Sequence, residues 1–93
     1  MSGVSAPQVR AFIVETLAQP LRDAGMRPES VPEDLDLHTA GVIDSFGLIE
    51  LVAAVEDRFG LEIDFEDLDP DEMTVLGPFS RYVEERSREA RAA

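Results

Sequence analysis

The stretch GVIDSFGLIELVAAVEDRFG, residues 41–60, decides the fold. Leu48, Leu51, Val52, Val55 and Phe59 fall within about a third of a helical circumference at 100° per residue. That arc is a core-facing stripe. Asp44 or Ser45 can cap the helix start, because either side-chain oxygen accepts a first-turn N–H. Gly60 supplies the C-terminal stop. The opposite side carries Phe46, Ile49, Glu50, Ala53 and Asp57, with Glu56 beside them. Apolar residues rimmed by carboxylates suggest a docking surface. An equally weighted alternative tucks Phe46 under the preceding loop.

Outward from this helix the chain stays helical. Ser5 is placed to cap an opening helix, and Pro7 sits where its missing N–H costs nothing. Val9, Phe12, Ile13 and Leu17 recur at three- and four-residue spacing, which predicts a helix over 6–19, stopped or kinked near Pro20. Pro20, Gly25, Pro28, Pro32 and Gly41 punctuate a long connection over 20–43. Within it Leu35 and Leu37 are expected to fold back on the core. LEIDF (61–65) is the one short strand candidate. DFEDLDPDEM (64–73) predicts a short helical turn around Phe65 and Leu68. A last helix opens at Thr74 or at Gly77-Pro78 and buries Phe79, Tyr82 and Val83. The expected architecture is all-α: a small four-helix bundle of three main helices and one short one, with a long loop between the first and second.

Composition bounds the chemistry. At 93 residues the chain is expected to be one domain over 1–93, frayed at 1–5 and 88–93, with a radius of gyration of roughly 12 Å. Cysteine is absent, which excludes disulfides, thiolate metal sites and a Cys nucleophile. Twenty acids face eight bases, all arginine, for a net charge of −12. Residues 29–72 hold fifteen of those acids and only Arg58. Such a field repels nucleic acid and anionic membranes and favours basic partners. No run approaches the ~20 apolar residues of a membrane span, and MSGVSAPQVR lacks a signal-peptide core, so a cytoplasmic monomer is expected.

Catalytic and metal sites are not expected. His38 is the only histidine, and no Gly-rich elbow frames Ser45 as a nucleophile. Asp67, Asp69 and Asp71 have the spacing of the first EF-hand calcium ligands, but Glu72 stands where glycine is required and Pro78 where glutamate is. These acids read as surface charge with weak, nonspecific calcium binding. Asp44-Ser45 remains. A helix N-terminus favours a phosphate, so an exposed serine there could carry a phosphodiester; physics alone favours a plain cap.

GVIDSFGLIELV followed by AAVEDRFGLEI resembles the acyl and peptidyl carrier proteins. Their hallmark is an Asp-Ser pair opening a helix, a hydrophobic residue, then an acidic-Leu pair. Asp44-Ser45, Phe46 and Glu50-Leu51 match it, as does the helix end Glu56-Asp57-Arg58-Phe59-Gly60. Phe46 replaces the usual leucine, and Gly47 stands where an acid or polar residue is common.

The resemblance implies that Ser45, with Asp44 as the adjacent motif residue, receives 4′-phosphopantetheine from coenzyme A through a phosphopantetheinyl transferase. The arm would carry acyl intermediates of fatty acid, polyketide or other secondary-metabolite biosynthesis as thioesters on a free-standing, non-enzymatic carrier. An aminoacyl or peptidyl carrier, D-alanine carriers included, is the alternative. Loading ligases and downstream enzymes would grip Phe46, Ile49, Glu50, Ala53, Glu56 and Asp57 through basic patches. Outside the family, the rival readings are an acidic helical adaptor without cofactor and a calcium-responsive module.

Overall fold

The computed structural model describes residues 4–64, 66, 69 and 73–92. Among the described residues the α-helices run in the order α1 (Ala6–Thr16), α2 (Ala18–Asp23), α3 (Ser45–Phe59) and α4 (Leu76–Ala92). A 3₁₀ turn at Pro28–Ser30 interrupts the long connection. Among the described residues there is no strand, only one antiparallel bridge between Asp36 and Val75. The radius of gyration is 12.6 Å.

Helix α1 opens on a reciprocal cap. Ser5 Oγ accepts the Gln8 N–H, and the Gln8 side chain accepts the Ser5 N–H. Val9 and Ile13 are buried, and Phe12 meets Phe59 of α3 edge-to-face at 5.5 Å. The single helix expected over 6–19 is instead two. Pro20 cannot donate to the Thr16 carbonyl, and its ring crowds that oxygen. The chain bends at Leu17 (φ −100°, ψ 18°) and resumes as α2, with Pro20 in its first turn. The long connection therefore begins after Asp23, not at residue 20.

That connection is packed by its own side chains. Val31 and Leu37 are buried and Leu35 packs against the core. Each fully buried aliphatic stabilises by about 1.5–3 kcal/mol relative to exposure, which pins an otherwise costly loop. Backbone bonds staple it to the start of α4: Leu37 N–H to Thr74 O, Leu76 N–H to Leu35 O, and Gly77 N–H to Glu33 O at 2.8, 3.0 and 2.7 Å.

The strand candidate at 61–65 does not form a strand in residues 61–64. Leu61 and Ile63 are buried, and their neighbourhood is held by side chains: Glu56 Oε2 accepts the Ile63 N–H at 2.8 Å and Tyr82 Oη accepts the Asp64 N–H at 3.3 Å. The helical turn expected around Phe65 and Leu68 lies outside the described residues. Helix α4 begins at Leu76, between the two expected starts, with Pro78 in its first turn. Leu76, Phe79 and Val83 form its buried face. It runs to Ala92. Ser87 is buried, and Arg86 Nε donates to Glu62 O at 2.9 Å.

Candidate functional site

The site stands on a chain of local supports. Asp36 Oδ1 accepts the His38 and Thr39 N–H groups, both at 3.0 Å, forming a turn. Gly41 (φ +79°) reverses the chain, a conformation open to glycine at no steric cost. The N–H groups of Val42 and Ile43 then both return to Leu37 O. Both side chains are buried, so the backbone entering Asp44 is anchored on the core.

Asp44 is the N-cap of α3. Its backbone is extended, and its Oδ1 accepts the Gly47 N–H at 2.7 Å. Ser45 is the first helical residue and is exposed. Among the described residues no side-chain hydrogen bond engages its hydroxyl. The sequence left Asp44 and Ser45 as rival caps; the structure assigns that role to Asp44 and leaves the Ser45 hydroxyl at the positive end of a fifteen-residue helix. A phosphodiester fits there. The hydroxyl is accessible, and the helix dipole favours the anion.

Phe46 is 69% exposed and Ile49 is 59% exposed, so Phe46 is not tucked under the loop. Glu50, Ala53 and Asp57 are exposed on the same side. Glu56 differs. It is half-buried and spends one carboxylate oxygen on the Ile63 N–H. Of the expected core stripe, Leu51, Val52 and Val55 are buried, while Leu48 and Phe59 are only partly buried and pack against the core.

An open groove of about 660 Å³ lies at the start of α3, with Asp44 and Gly47 among its lining residues. It lies between α3, the turn before it and the α1–α2 bend. Leu17, Val42, Ile43 and Leu51 give it apolar lining; Thr16, His38, Asp44 and Glu50 add polar groups. Sequence reading missed it because its walls come from three separate stretches. Its two signals were Pro20 inside a helical pattern and Gly47 early in a helix. His38 is exposed, in keeping with a solvated side chain.

Among the described residues no group of three or more His, Asp or Glu side chains is placed to hold a metal ion. Asp67 and Asp71 of the calcium-like spacing lie outside the described residues. No described helix is long and apolar enough to cross a membrane.

The site is an exposed serine directly after the Asp44 cap, on a small α-helical fold. The chain matches the family described as "Phosphopantetheine attachment site" over residues 13–83, and it belongs to that family. It is therefore a carrier protein whose covalent cofactor is 4′-phosphopantetheine. A D-alanyl carrier protein of Bacillus velezensis (strain DSM 23117 / BGSC 10A6 / LMG 26770 / FZB42) is 41% identical to it over 39 residues. That match covers 42% of this chain and 50% of the relative, so the chain spans about half the length of the curated relative it matches. No solved structure matches the chain. Membership in the family displaces the reading of a cofactor-free acidic adaptor.

Proposed function

We propose that Ser45 is the residue esterified by 4′-phosphopantetheine, and that the chain serves as a cytoplasmic, non-enzymatic carrier of thioester-bound acyl groups. The observation that carries this reading is the division of labour at the start of α3. Asp44 caps the helix, which frees the adjacent, exposed Ser45 hydroxyl for chemistry.

In the transfer, Ser45 Oγ forms a new bond to the β-phosphorus of coenzyme A. The pyrophosphate bond breaks, adenosine 3′,5′-bisphosphate leaves, and the serine proton passes to a base on the transferase. This chain's part is geometric and electrostatic. The buried pair Val42–Ile43 holds Asp44 and Ser45 in place, and the α3 dipole stabilises the resulting phosphodiester. The arm's terminal thiol supplies the thioester link to cargo, a sulfur that a chain without cysteine cannot provide itself.

The partner face is Phe46, Ile49, Glu50, Ala53 and Asp57. Two exposed hydrophobes among carboxylates suit an enzyme patch of apolar residues ringed by Arg or Lys. The transferase, a loading ligase and downstream enzymes would share it. Glu56 contributes charge to this face while holding Ile63.

Acyl groups of fatty acid, polyketide or other secondary-metabolite biosynthesis are one cargo class. An aminoacyl cargo is the second reading, favoured by the similarity to a D-alanyl carrier protein. Intact mass after incubation with coenzyme A, magnesium and a promiscuous transferase tests the assignment. One phosphopantetheine is expected on the wild type and none on Ser45→Ala. Equal modification of both, or of neither, refutes it.

A further inference from the structure

Arg10, Val14, Ala18 and Arg22 recur every four residues, and all four line a second groove, of about 410 Å³. The spacing carries one stripe along α1 and across the bend at Leu17 onto α2. Val14 and Ala18 form its half-buried apolar centre, and an arginine stands at each end. Phe12 meets Phe59 of α3. Val14 follows two residues later, about 200° around the helix at 3.6 residues per turn. The stripe therefore faces away from α3.

The charge here runs against the rest of the chain. The net charge is −12, yet residues 1–28 carry three arginines against Glu15 and Asp23. Neither Arg10 nor Arg22 forms an ion pair among the described residues, although Glu15 and Glu29 line the same groove. Arg22 is exposed. Arg10 is half-buried; its Nη2 donates to Val31 O, and its buried Nε has no hydrogen-bond partner among the described residues. A carbonyl does not neutralise a guanidinium, and a buried cationic donor short of acceptors is costly. An incoming carboxylate therefore gains at both ends of the stripe.

We propose that this stripe is a second docking surface, for a segment of a partner protein whose acidic side chains flank an apolar one. Arg10 and Arg22 stand twelve residues apart, about 18 Å along an unbent helix. A segment with acids at both ends of an apolar centre spans that distance, while a lone phosphate or carboxylate engages one end. The lining is half-buried or exposed, so the groove receives a partner's surface rather than enclosing a small molecule. A second copy would bring a net charge of −12 against the same charge, and that repulsion opposes it. Because the stripe faces away from α3, such a partner can stay bound while an enzyme occupies the proposed α3 face. The surface does not depend on Ser45 as the attachment residue.

The probe is a capped synthetic peptide with two glutamates at each end of a leucine-alanine centre, titrated into the isotope-labelled full chain at low salt. The amide resonances of Arg10, Val14, Ala18 and Arg22 should shift, with those of Phe46 and Asp57 unmoved. Arg22→Gln, at an exposed position, should weaken binding about two- to fivefold, the range for an exposed charge pair. Glu15→Gln removes a like charge from the groove and should tighten binding, whereas Glu85→Gln on α4 should not. Opposite signs at Arg22 and Glu15 are a readout that a folding defect does not give. Raising the salt should weaken the peptide. Absence of a saturable shift, shifts centred on another face, or equal tightening from Glu15→Gln and Glu85→Gln overturns the proposal. So does inorganic phosphate producing the same shifts at the same concentration, which makes the groove a simple anion site. Sedimentation of the chain alone covers the remaining occupant: a concentration-dependent dimer that Arg22→Gln abolishes assigns the stripe to a second copy and overturns the separate partner.

Discussion

The Asp44 carboxylate reaches over Ser45 and Phe46 to accept the Gly47 N–H at 2.7 Å. Capping therefore falls to a different residue from the proposed attachment serine, which makes the two roles separable by mutation. Asp44→Ala should lose about 0.5–2 kcal/mol of folding stability, while Asp44→Asn keeps an acceptor and most of that stability. Ser45→Ala removes no cap and should unfold at nearly the wild-type denaturant concentration. Urea titrations followed by helical circular dichroism check the order. A larger loss from Ser45→Ala than from Asp44→Ala would reverse the roles.

Gly77 is required by close approach rather than by an unusual dihedral. Its N–H donates to Glu33 O at 2.7 Å, and an added Cβ would stand 2.9 Å from that same oxygen. The clash is with backbone, which cannot rotate away. Gly77→Ala should cost about 1–3 kcal/mol, the range for forced overpacking, despite alanine's better helix propensity. Because the bond staples the long loop to α4, loop amides near Leu35 and Leu37 should lose hydrogen-exchange protection first. A neutral or stabilising Gly77→Ala would mean that the loop shifts at no cost.

What the sequence made legible follows from periodicity and caps. The stripe Leu48, Leu51, Val52, Val55, Phe59 places α3 and its bounds, because five apolar positions and an αL glycine all agree. The bend at Leu17 was only half legible. Pro20 signals a break, yet a proline in a first turn is compatible with a new helix, and tertiary burial of Leu21 decides between stopping and restarting. Strand propensity at 61–65 misled because Leu61 and Ile63 alternate inward with no partner strand among the described residues; the Glu56 and Tyr82 side chains accept the Ile63 and Asp64 N–H groups instead. Glu56 shows the same limit. It lies at the boundary between the α3 stripes, and a turn in the loop after the helix draws its carboxylate inward. The groove was legible only through Pro20 and Gly47, since no local pattern reports that residues 16, 41 and 50 line one space.

Asp36 links stability to pH. Its carboxyl is held below the ordinary value of 3.8, chiefly by the Thr39 backbone N–H. Burial opposes this, while the Thr39 side chain, the His38 N–H and the Thr74 side chain add to it. A lowered folded-state pKa means stability that is present above the unfolded value and lost as pH falls through the lowered one. Protonation elsewhere relieves repulsion among the acids over the same range, so the contribution is read as a difference. The gap in unfolding free energy between wild type and Asp36→Ala should be constant near neutral pH and narrow below about pH 4. An NMR titration of the Asp36 carboxyl should give a midpoint below 3.8. A midpoint above that value would show that burial outweighs the hydrogen bonds.

The proposed docking face sets charge and apolar contact side by side on one helix. Glu50 and Asp57 are exposed beside Phe46 and Ile49, all on the side of α3 away from the core stripe. Charge reversal at Glu50 or Asp57 should slow modification mainly through slower association, with unchanged helical circular dichroism. The defect should shrink as salt rises, because screening weakens the wild type as well. Ile49→Gln should instead weaken binding in a nearly salt-independent way. Glu56 supplies an internal contrast: its carboxylate holds the Ile63 N–H, so reversal there should lower the melting temperature as well as association. Glu84 and Glu85 on α4 provide the control for bulk charge. Glu84 already accepts the Ala6 N–H and faces Arg88, so Glu85 is the cleaner substitution of the two. Stopped-flow association with the transferase at several salt concentrations reads all of these. Defects from Glu85→Arg equal to those from Glu50→Arg and Asp57→Arg would mean that net charge alone steers encounter, and the α3 face would then lose its claim as the docking surface.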